Sequence, residues 1–507
     1  MSDNGIGFNN IPGVGIVAPL FAFEVNSGGL YQPVNRVVIV GHPDATATAP
    51  AGSPMQITSL QQADALFGPN SMLREMARTV LRNGPGLPLW GVSAPASGTA
   101  ATWTVTLAPW SGTGVAAFEI EGERIQVPVG STDTITTIAT ALAAAITNYW
   151  NPLTGKKLAV TAAAAAGVIT LTARQPGAIY NCIDIYLPIN VTGNLLAQAG
   201  VCTIAAGTAG AGTPNLAPAL AGLSDSPADF IIAPWSDATN LANYTAATND
   251  ISGRWSWYRQ SYGHVWTVDN GTIAAQQTLG ASLNDRHLTV VGVQNLPTPD
   301  WTVCAAIAAR VAPWLLDVVT GGVSRSQAGL AVLDVRAPRS PSNWPSWQQR
   351  NAMLQDGIST WRIDATGTFC IDKIITTSQL GPQNQPDVTF RDVQKVYQAA
   401  GGIAFIRAAL AAEQGNKAIA DSNPGSLLAL TTTKDIAATI VHAYRNLNLQ
   451  GVFDDPDVAA ANLVCQRDTN NPDRVNVYMP TIPIAPIDVI AANATFYASA
   501  AQLPSAA

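Results

Sequence analysis

Short apolar runs alternate with helix-length amphipathic segments in two separate stretches of this chain, 36–95 and 214–330, and the residues between them follow a different period. Strand–helix alternation predicts an open α/β layer with a largely parallel sheet. Its interruption and resumption predict one α/β domain split by an insertion. In the first stretch Val37, Val38, Ile39, Val40 and Gly41 form a run suited to a strand buried on both faces. Ser59 opens a helix that Gly68 and Pro69 stop after Phe67. Ser71 caps a second helix, with Met72, Leu73, Met76, Val80 and Leu81 along one face and Gly84 past its end. Residues 87–92 read as the next strand. In the second stretch 230–233, 265–268 and 288–292 are strand candidates, followed by helical stretches at 237–250, 272–284 and 299–316.

The intervening residues, 96–213, switch to period two. Trp103, Val105 and Leu107 alternate with Thr102, Thr104 and Thr106, as in a half-buried strand. A hairpin turning at Gly122, an amphipathic helix from Ile135 to Tyr149, a second hairpin at 158–173 and a strand at 183–187 complete a compact α+β module. The Gly/Ala/Thr stretch at 205–213 reads as a flexible linker closing it.

Beyond the loop at 338–341 a final α+β domain is expected over 331–484. Two strands flank Asp364 to Gly367, helical stretches follow at 389–413 and 433–448, and a strand lies at 475–479. The two ends differ from everything between them. Glycines and prolines break any helix in residues 1–35, yet 14–25 is rich in strand formers. A proline-rich linker leads to a last apolar segment in 485–507. Neither end has a local hairpin partner. The expected fold class is α/β and α+β multidomain: a split α/β domain with an inserted module, an α+β C-terminal core domain, and extended β-strand arms at both termini.

Composition narrows the function. The 33 acidic residues outnumber the 26 Lys and Arg, for a net charge of −7, which disfavours sequence-independent nucleic-acid binding, since that rests on neutralising phosphates. Only 12% of residues are charged, about half the roughly 25% usual in soluble proteins, in keeping with surface buried against partners. Five scattered cysteines with no close pair read as reduced thiols. The opening MSDNGIGFNN has no basic or apolar signal region, and no apolar run approaches the ~20 residues of a membrane span. Neither a leader nor membrane insertion is expected.

Motifs for chemistry are weak. Gly207, Gly210 and Gly212 lack the spacing and the lysine of a phosphate loop. Asp454, Asp455 and Asp457 lack the spacing of a calcium loop and suit a helix start. Glu119, Glu121 and Glu123 alternate at strand spacing and read as one wet face. His42, His264, His287 and His442 show no paired ligand spacing. No catalytic, cofactor or metal residue is proposed. One alternative from another class stays open: an α/β enzyme using Ser236, Asp237, Asp269, Asn270, Gln294 and Asn295 at the strand ends.

Several blocks together resemble the contractile tail sheath proteins of Mu-like tailed bacteriophages. They are Ile11-Pro12-Gly13-Val14 before an extended segment; V-V-I-V-G-H-P leading through Ile57-Thr58-Ser59-Leu60 and A-L-F-G-P-N-S to Leu81-Arg82-Asn83-Gly84; Arg350-Asn351 through Asp356-Gly357-Ile358-Ser359-Thr360; and N-P-D-R-V-N-V-Y-M-P at 471–480. The likeness spans nearly the whole chain. It implies a structural subunit that polymerises into a helical tube around an inner tail tube and contracts to drive that tube through a host envelope. It also implies that terminal arms add strands to sheets of neighbouring subunits, by β-augmentation. The arm residues would be Val14, Ile16, Val17, Phe21, Phe23 and Val25, with Ile487, Val489, Ile490, Phe496 and Tyr497. The acceptor sheet is expected in 340–480, with Ile358, Trp361, Ile363, Phe369, Ile371 and Ile374 as first candidates. Lys434, His442 and Arg445 are candidates for contact with the tube, and the inserted module would face outward. Partners would be the chain itself, the inner tube protein, and baseplate and tail terminator proteins. The implied location is the virion tail, assembled in the host bacterial cytoplasm. A phage-tail-like bacteriocin of the same design is the nearer alternative.

Overall fold

The computed structural model describes residues 36–494 and Phe496. The N-terminal arm candidates, Val14, Ile16, Val17, Phe21, Phe23 and Val25, and Tyr497 at the other end lie outside the described residues.

The chain opens with β1 (Val37–Gly41), β2 (Pro54–Ile57), α1 (Leu60–Phe67), α2 (Met72–Asn83) and β3 (Leu89–Ser93). Every residue of β1 is buried, as its uninterrupted apolar run predicts. The hydroxyl of Ser59 accepts from the Gln62 N–H and that of Ser71 from the Arg74 N–H, satisfying backbone donors that the first turn of each helix leaves open.

The inserted module follows. It contains β4 (Thr102–Leu107), β5 (Gly114–Ile120), β6 (Glu123–Val129), α3 (Ile135–Thr147), β7 (Val160–Ala165), β8 (Val168–Ala173), β9 (Ile185–Tyr186) and β10 (Cys202–Ala206). Its strands form two sheets, β10-β4-β8-β7 and β6-β5-β9. The β5–β6 turn places Glu121 at φ +53° and Gly122 at φ +75°, the left-handed pair that matches the twist of a two-residue hairpin. The expected wet face of three glutamates is therefore wrong. Glu121 belongs to the turn, so the alternation breaks there, and both it and Glu123 are buried.

The glycine-rich stretch closing the module is likewise not a loose linker. Thr99 pairs with Ala211 as an antiparallel bridge, and the two chain passages press together at glycine. A Cβ on Gly98 would lie 1.8 Å from the Ala211 carbonyl oxygen, and one on Gly212 would lie 2.4 Å from that of Ser97.

The chain then runs through α4 (Ala217–Gly222), β11 (Phe230–Ile232), α5 (Ala238–Thr248), β12 (His264–Asp269), α6 (Ile273–Ala281), β13 (Leu288–Gly292), α7 (Asp300–Leu315), α8 (Trp347–Gln355), β14 (Ile358–Ile363) and β15 (Phe369–Lys373). One eight-stranded sheet takes up β15-β14-β13-β12-β11-β1-β3-β2. Pairing is parallel from β14 to β3, and antiparallel at the two edges, β14–β15 and β2–β3. The expected division near residue 330 does not divide this sheet. The 358–373 hairpin, assigned from sequence to the final domain, adds to β13, and Ile358, Ser359, Thr360 and Trp361 of β14 are all buried there.

The remainder comprises α9 (Val393–Gln414), β16 (Ala418–Ile419), β17 (Leu430–Thr431), α10 (Thr433–Leu449), α11 (Pro456–Ala461), β18 (Val464–Arg467) and β19 (Val475–Tyr478). β16 and β17 pair with each other, and so do β18 and β19.

Candidate assembly surfaces

Helices α9 and α10 pack through Ile406 on one and Ile440, Ala443, Tyr444 and Leu447 on the other. Phe453 closes this core. It stacks on Tyr444 at 5.2 Å between centroids, and it lies against Gly402, where a Cβ would come within 2.4 Å of its ring. The Tyr444 hydroxyl donates to the Asp454 carbonyl (2.9 Å) and accepts from the Ile482 N–H (3.1 Å). The opposite face of α10 is open. Lys434, Ala438, His442, Arg445 and Leu449 are all exposed, and their spacing of three or four residues aligns them as one stripe. The three tube-contact candidates thus share a solvent-facing row, with Arg445 3.2 Å from Asp457.

The acceptor candidates on β14 and β15 are placed differently. Ile358, Trp361, Phe369, Ile371 and Ile374 are buried, and Ile363 is half-buried. Trp361 donates its indole N–H to the Gly292 carbonyl at 2.7 Å and stacks on Phe369. β15 is the last strand of the sheet, but its outer edge is already used. The Gly329 N–H donates to the Ile371 carbonyl (2.8 Å), the Ile371 N–H to the Leu330 carbonyl (3.0 Å) and the Val332 N–H to the Phe369 carbonyl (3.0 Å). A visiting strand would have to displace residues 329–332. These six residues build the core of the sheet and do not present a free edge.

The hairpin of β18 and β19 does present edges. Its two strands pair only with each other among the described residues. Val464 and Tyr478 sit opposite one another in register, both exposed, and Val477 is exposed as well. Sequence reading found β19 and missed β18. Its four residues, Val-Cys-Gln-Arg, are too short and polar to register as a strand, and only the alternation of Val464 with Gln466 hints at one.

The C-terminal segment crosses this region. Residues 482–484 run antiparallel to 452–454, with the Asp454 N–H donating to the Ile482 carbonyl and the Ile484 N–H to that of Val452. Gln398 donates to the Ile484 carbonyl at 2.8 Å. Asp488 then forms an ion pair with Lys373, whose ammonium also meets Asp392 at 3.0 Å. Burial alone would push the Asp392 carboxyl up, but Lys373, Lys395 and Arg391 hold it below the usual carboxylate range. Past this anchor Ile490 is 84% exposed and Phe496 95%. Ile487 and Val489 are exposed too, so these arm side chains are uncovered among the described residues.

No family model matches this sequence. Against proteins of known role, the chain is 27% identical over 490 residues to the Mu-like prophage FluMu tail sheath protein of Haemophilus influenzae, spanning 93% of this chain and 95% of that one. The chain is similar to a Mu-like tail sheath protein over nearly the whole length of both.

Solved structures of sheath proteins are also similar. The sheath tail protein of Desulfitobacterium hafniense is 14% identical, with 92% of this chain and 97% of that one covered and a TM-score of 0.47. The corresponding protein of Listeria innocua is 12% identical, with 89% and 92% covered and a TM-score of 0.46. Both lie below a TM-score of 0.5.

The polar residues gathered at the ends of the parallel strands are accounted for in part by local hydrogen bonds. Asp237 caps α5 through the Asn240 N–H, and Asp269 accepts from Ser236 (2.8 Å) and the Gly271 N–H (3.0 Å). Asn270 donates to Asp300 at 2.7 Å. Gln294 is buried and Asn295 exposed. Burial, then the charge of Asp269, pushes the Asp300 carboxyl up to about 7. Burial, then Asp300, raises the neighbouring Cys182 thiol well above its usual value. A thiol held protonated is no nucleophile, and Ser236, Asp237, Asp269 and Asn270 serve as caps and turn braces.

Proposed function

We propose that this chain is the structural subunit of a contractile tail sheath, polymerising around an inner tail tube, and that it is not an enzyme. The near full-length sequence relative supports the sheath reading. The single structural observation that carries the assembly mechanism is the β18–β19 hairpin, which pairs with no other strand among the described residues, followed by a C-terminal segment whose described apolar side chains stand in solvent. Exposed strand edges are templates for further strands, and a two-stranded hairpin alone is marginal. Strands donated by the arms of neighbouring copies would complete it. The acceptor sheet therefore moves, within the expected 340–480, from the 358–376 hairpin to β18 and β19.

In this reading residues 14–25 of one neighbour and 487–497 of another flank the hairpin. Main-chain hydrogen bonds supply strength, and alternate side chains fix register. A head-to-tail contact that does not close on itself generates a helix. The inserted module faces outward, the α10 stripe faces the inner tube, and baseplate and terminator proteins bound the polymer in a virion tail assembled in the host cytoplasm.

The test is negative-stain electron microscopy of the full chain and of a chain lacking residues 1–30, each with and without inner tube protein. Hollow helical tubes from the full chain, and none from the truncation, are expected. Tubes from both would remove the N-terminal arm from the mechanism. Small uniform particles from the full chain even with tube protein present would overturn the sheath reading.

A further inference from the structure

The strand order of the large sheet reverses direction at β1. β3 lies on one side of it, and β11, β12 and β13 continue on the other. In open α/β sheets the crevice outside the carboxyl ends of the strands at such a point is where ligands bind. Here His42 directly follows β1, Trp235 follows β11, and Trp301 lies in the first turn of α7. All three are buried.

The crevice is filled from within the chain. A tight turn of the inserted module, Ala178–Cys182, carries Tyr180 into it. The Tyr180 ring is 0% exposed, 6.0 Å from the His42 ring and 5.1 Å from that of Trp301, while His42 meets Trp235 edge-on at 5.1 Å. Its hydroxyl donates to Gln175 Oε1 (3.1 Å), and Gln175 Nε2 in turn donates to the Asn70 carbonyl ahead of α2 (2.9 Å). The cavity between the Tyr180 ring, Trp301, Gln175 and the start of α2 has a volume of ≈ 10 Å³, at most room for one water. His42 Nδ1 lies 2.8 Å from the Ala94 carbonyl and so carries the proton, which leaves Nε2 as an acceptor. Neither this Nε2 nor the Trp235 indole N–H has a hydrogen-bond partner among the described residues. An acceptor and a donor left over on adjacent rings mark a polar crevice sealed by an aromatic ring.

We propose that the inserted module is an internal ligand of the α/β sheet, keyed by Tyr180, and that module and sheet move as one body. A second set of contacts clamps the same joint. Glu75 on α2 accepts from the Lys157 N–H (3.1 Å) and from Arg78 (2.8 Å), and Arg74 donates to the Gly155 carbonyl (2.6 Å). Lys157 reaches back to the Pro69 carbonyl at 3.1 Å. On the far side Arg339 pairs with Glu119 and Asp184 and lies over the Tyr186 ring. With the close-packed glycine neck at 97–99 and 211–212, the module is held at its key, its flanks and its root. The inference does not depend on how copies assemble, because it concerns the isolated chain.

Hydrogen exchange on the unassembled full-length chain tests it. The slowest amides of β4, β8 and α3 are expected to exchange within about threefold of the slowest amides of β1, β11 and β12, since local opening of a separate body would show as faster exchange. Tyr180→Ala is expected to speed the module amides at least tenfold and leave the sheet amides unchanged. Millimolar 4-methylphenol, the tyrosine side chain as a free molecule, should reverse that effect. Tyr180→Phe keeps the ring and should behave as the native chain. Module amides that exchange a hundredfold faster than the sheet in the native chain would overturn the proposal, and that comparison decides even if Tyr180→Ala does not fold. Unchanged protection in a folded Tyr180→Ala, or no slowing by 4-methylphenol, would equally overturn Tyr180 as the key.

Discussion

Glu121 occupies the first position of a left-handed turn, is 2% exposed, and accepts from the Ala159 N–H at 2.7 Å while Lys156 stands 4.0 Å away. Burial outweighs Lys156 and that hydrogen bond, so its carboxyl is pushed up to about 7. A carboxyl raised on folding contributes stability that is fully present below its unfolded value, 4.5, and is lost as the pH rises through about 7. Each tenfold change in acidity is worth about 1.4 kcal/mol, so this one group can account for a loss on the order of 3 kcal/mol across that window. Glu121→Gln keeps an oxygen for the Ala159 N–H and cannot ionise. We expect its melting temperature to change less between pH 5 and pH 8 than that of the native chain, as followed by circular dichroism. An equal slope in both proteins would place the titration elsewhere. Asp300 and Asp229 are raised in the same sense by burial, so the slope should shrink and not vanish. Glu123 acts the other way: burial raises it, but Lys156, Tyr149 and Asn151 bring its carboxyl below its usual value, so its contribution is lost only as the pH falls.

At the scale of elements, what could be read from the sequence follows how local the cause is. Caps at Ser59 and Ser71, the buried run of β1 and the helical spacing of α3 rest on neighbours in sequence, and all appear where their residues indicate. The addition of β14 to β13 joins Ile358 to Val290 across 68 residues, and no spacing announces such a pairing. The loop at 338–341, with a proline at each end, reads as a boundary, although the sheet continues past it. The free hairpin was half visible, because β18 is short and polar. Its exposed cross-strand pair gives a direct test of the assembly mechanism. Val464→Asp with Tyr478→Lys alters side chains already in solvent, where substitutions usually shift stability by about 0.5 kcal/mol or less. The melting temperature of the unassembled chain should therefore stay put, while tube formation seen by electron microscopy should be lost. Normal tubes from this variant would remove β18 and β19 as the acceptor.

For the whole molecule, the distribution of charge separates two contacts that a sheath subunit would make. The chain carries −7 overall, yet the stripe of α10 presents Lys434, His442 and Arg445 with no exposed carboxylate in its row of 434, 438, 442, 445 and 449. If that stripe meets the inner tube, it acts through screened charge at the surface, whereas arm exchange acts through backbone hydrogen bonds that salt screens far less. The two should come apart experimentally. Lys434→Glu with Arg445→Glu is expected to leave homopolymer tubes intact while abolishing co-sedimentation with preformed inner tubes. For the native chain the same co-sedimentation should weaken as salt rises from about 0.1 M to about 1 M, where the screening length falls from ~10 Å to ~3 Å. Tubes that form without gripping would assign α10 to the lumen. A doubly reversed variant that still binds inner tubes would move the gripping surface to another face, and the arm mechanism would remain as it stands.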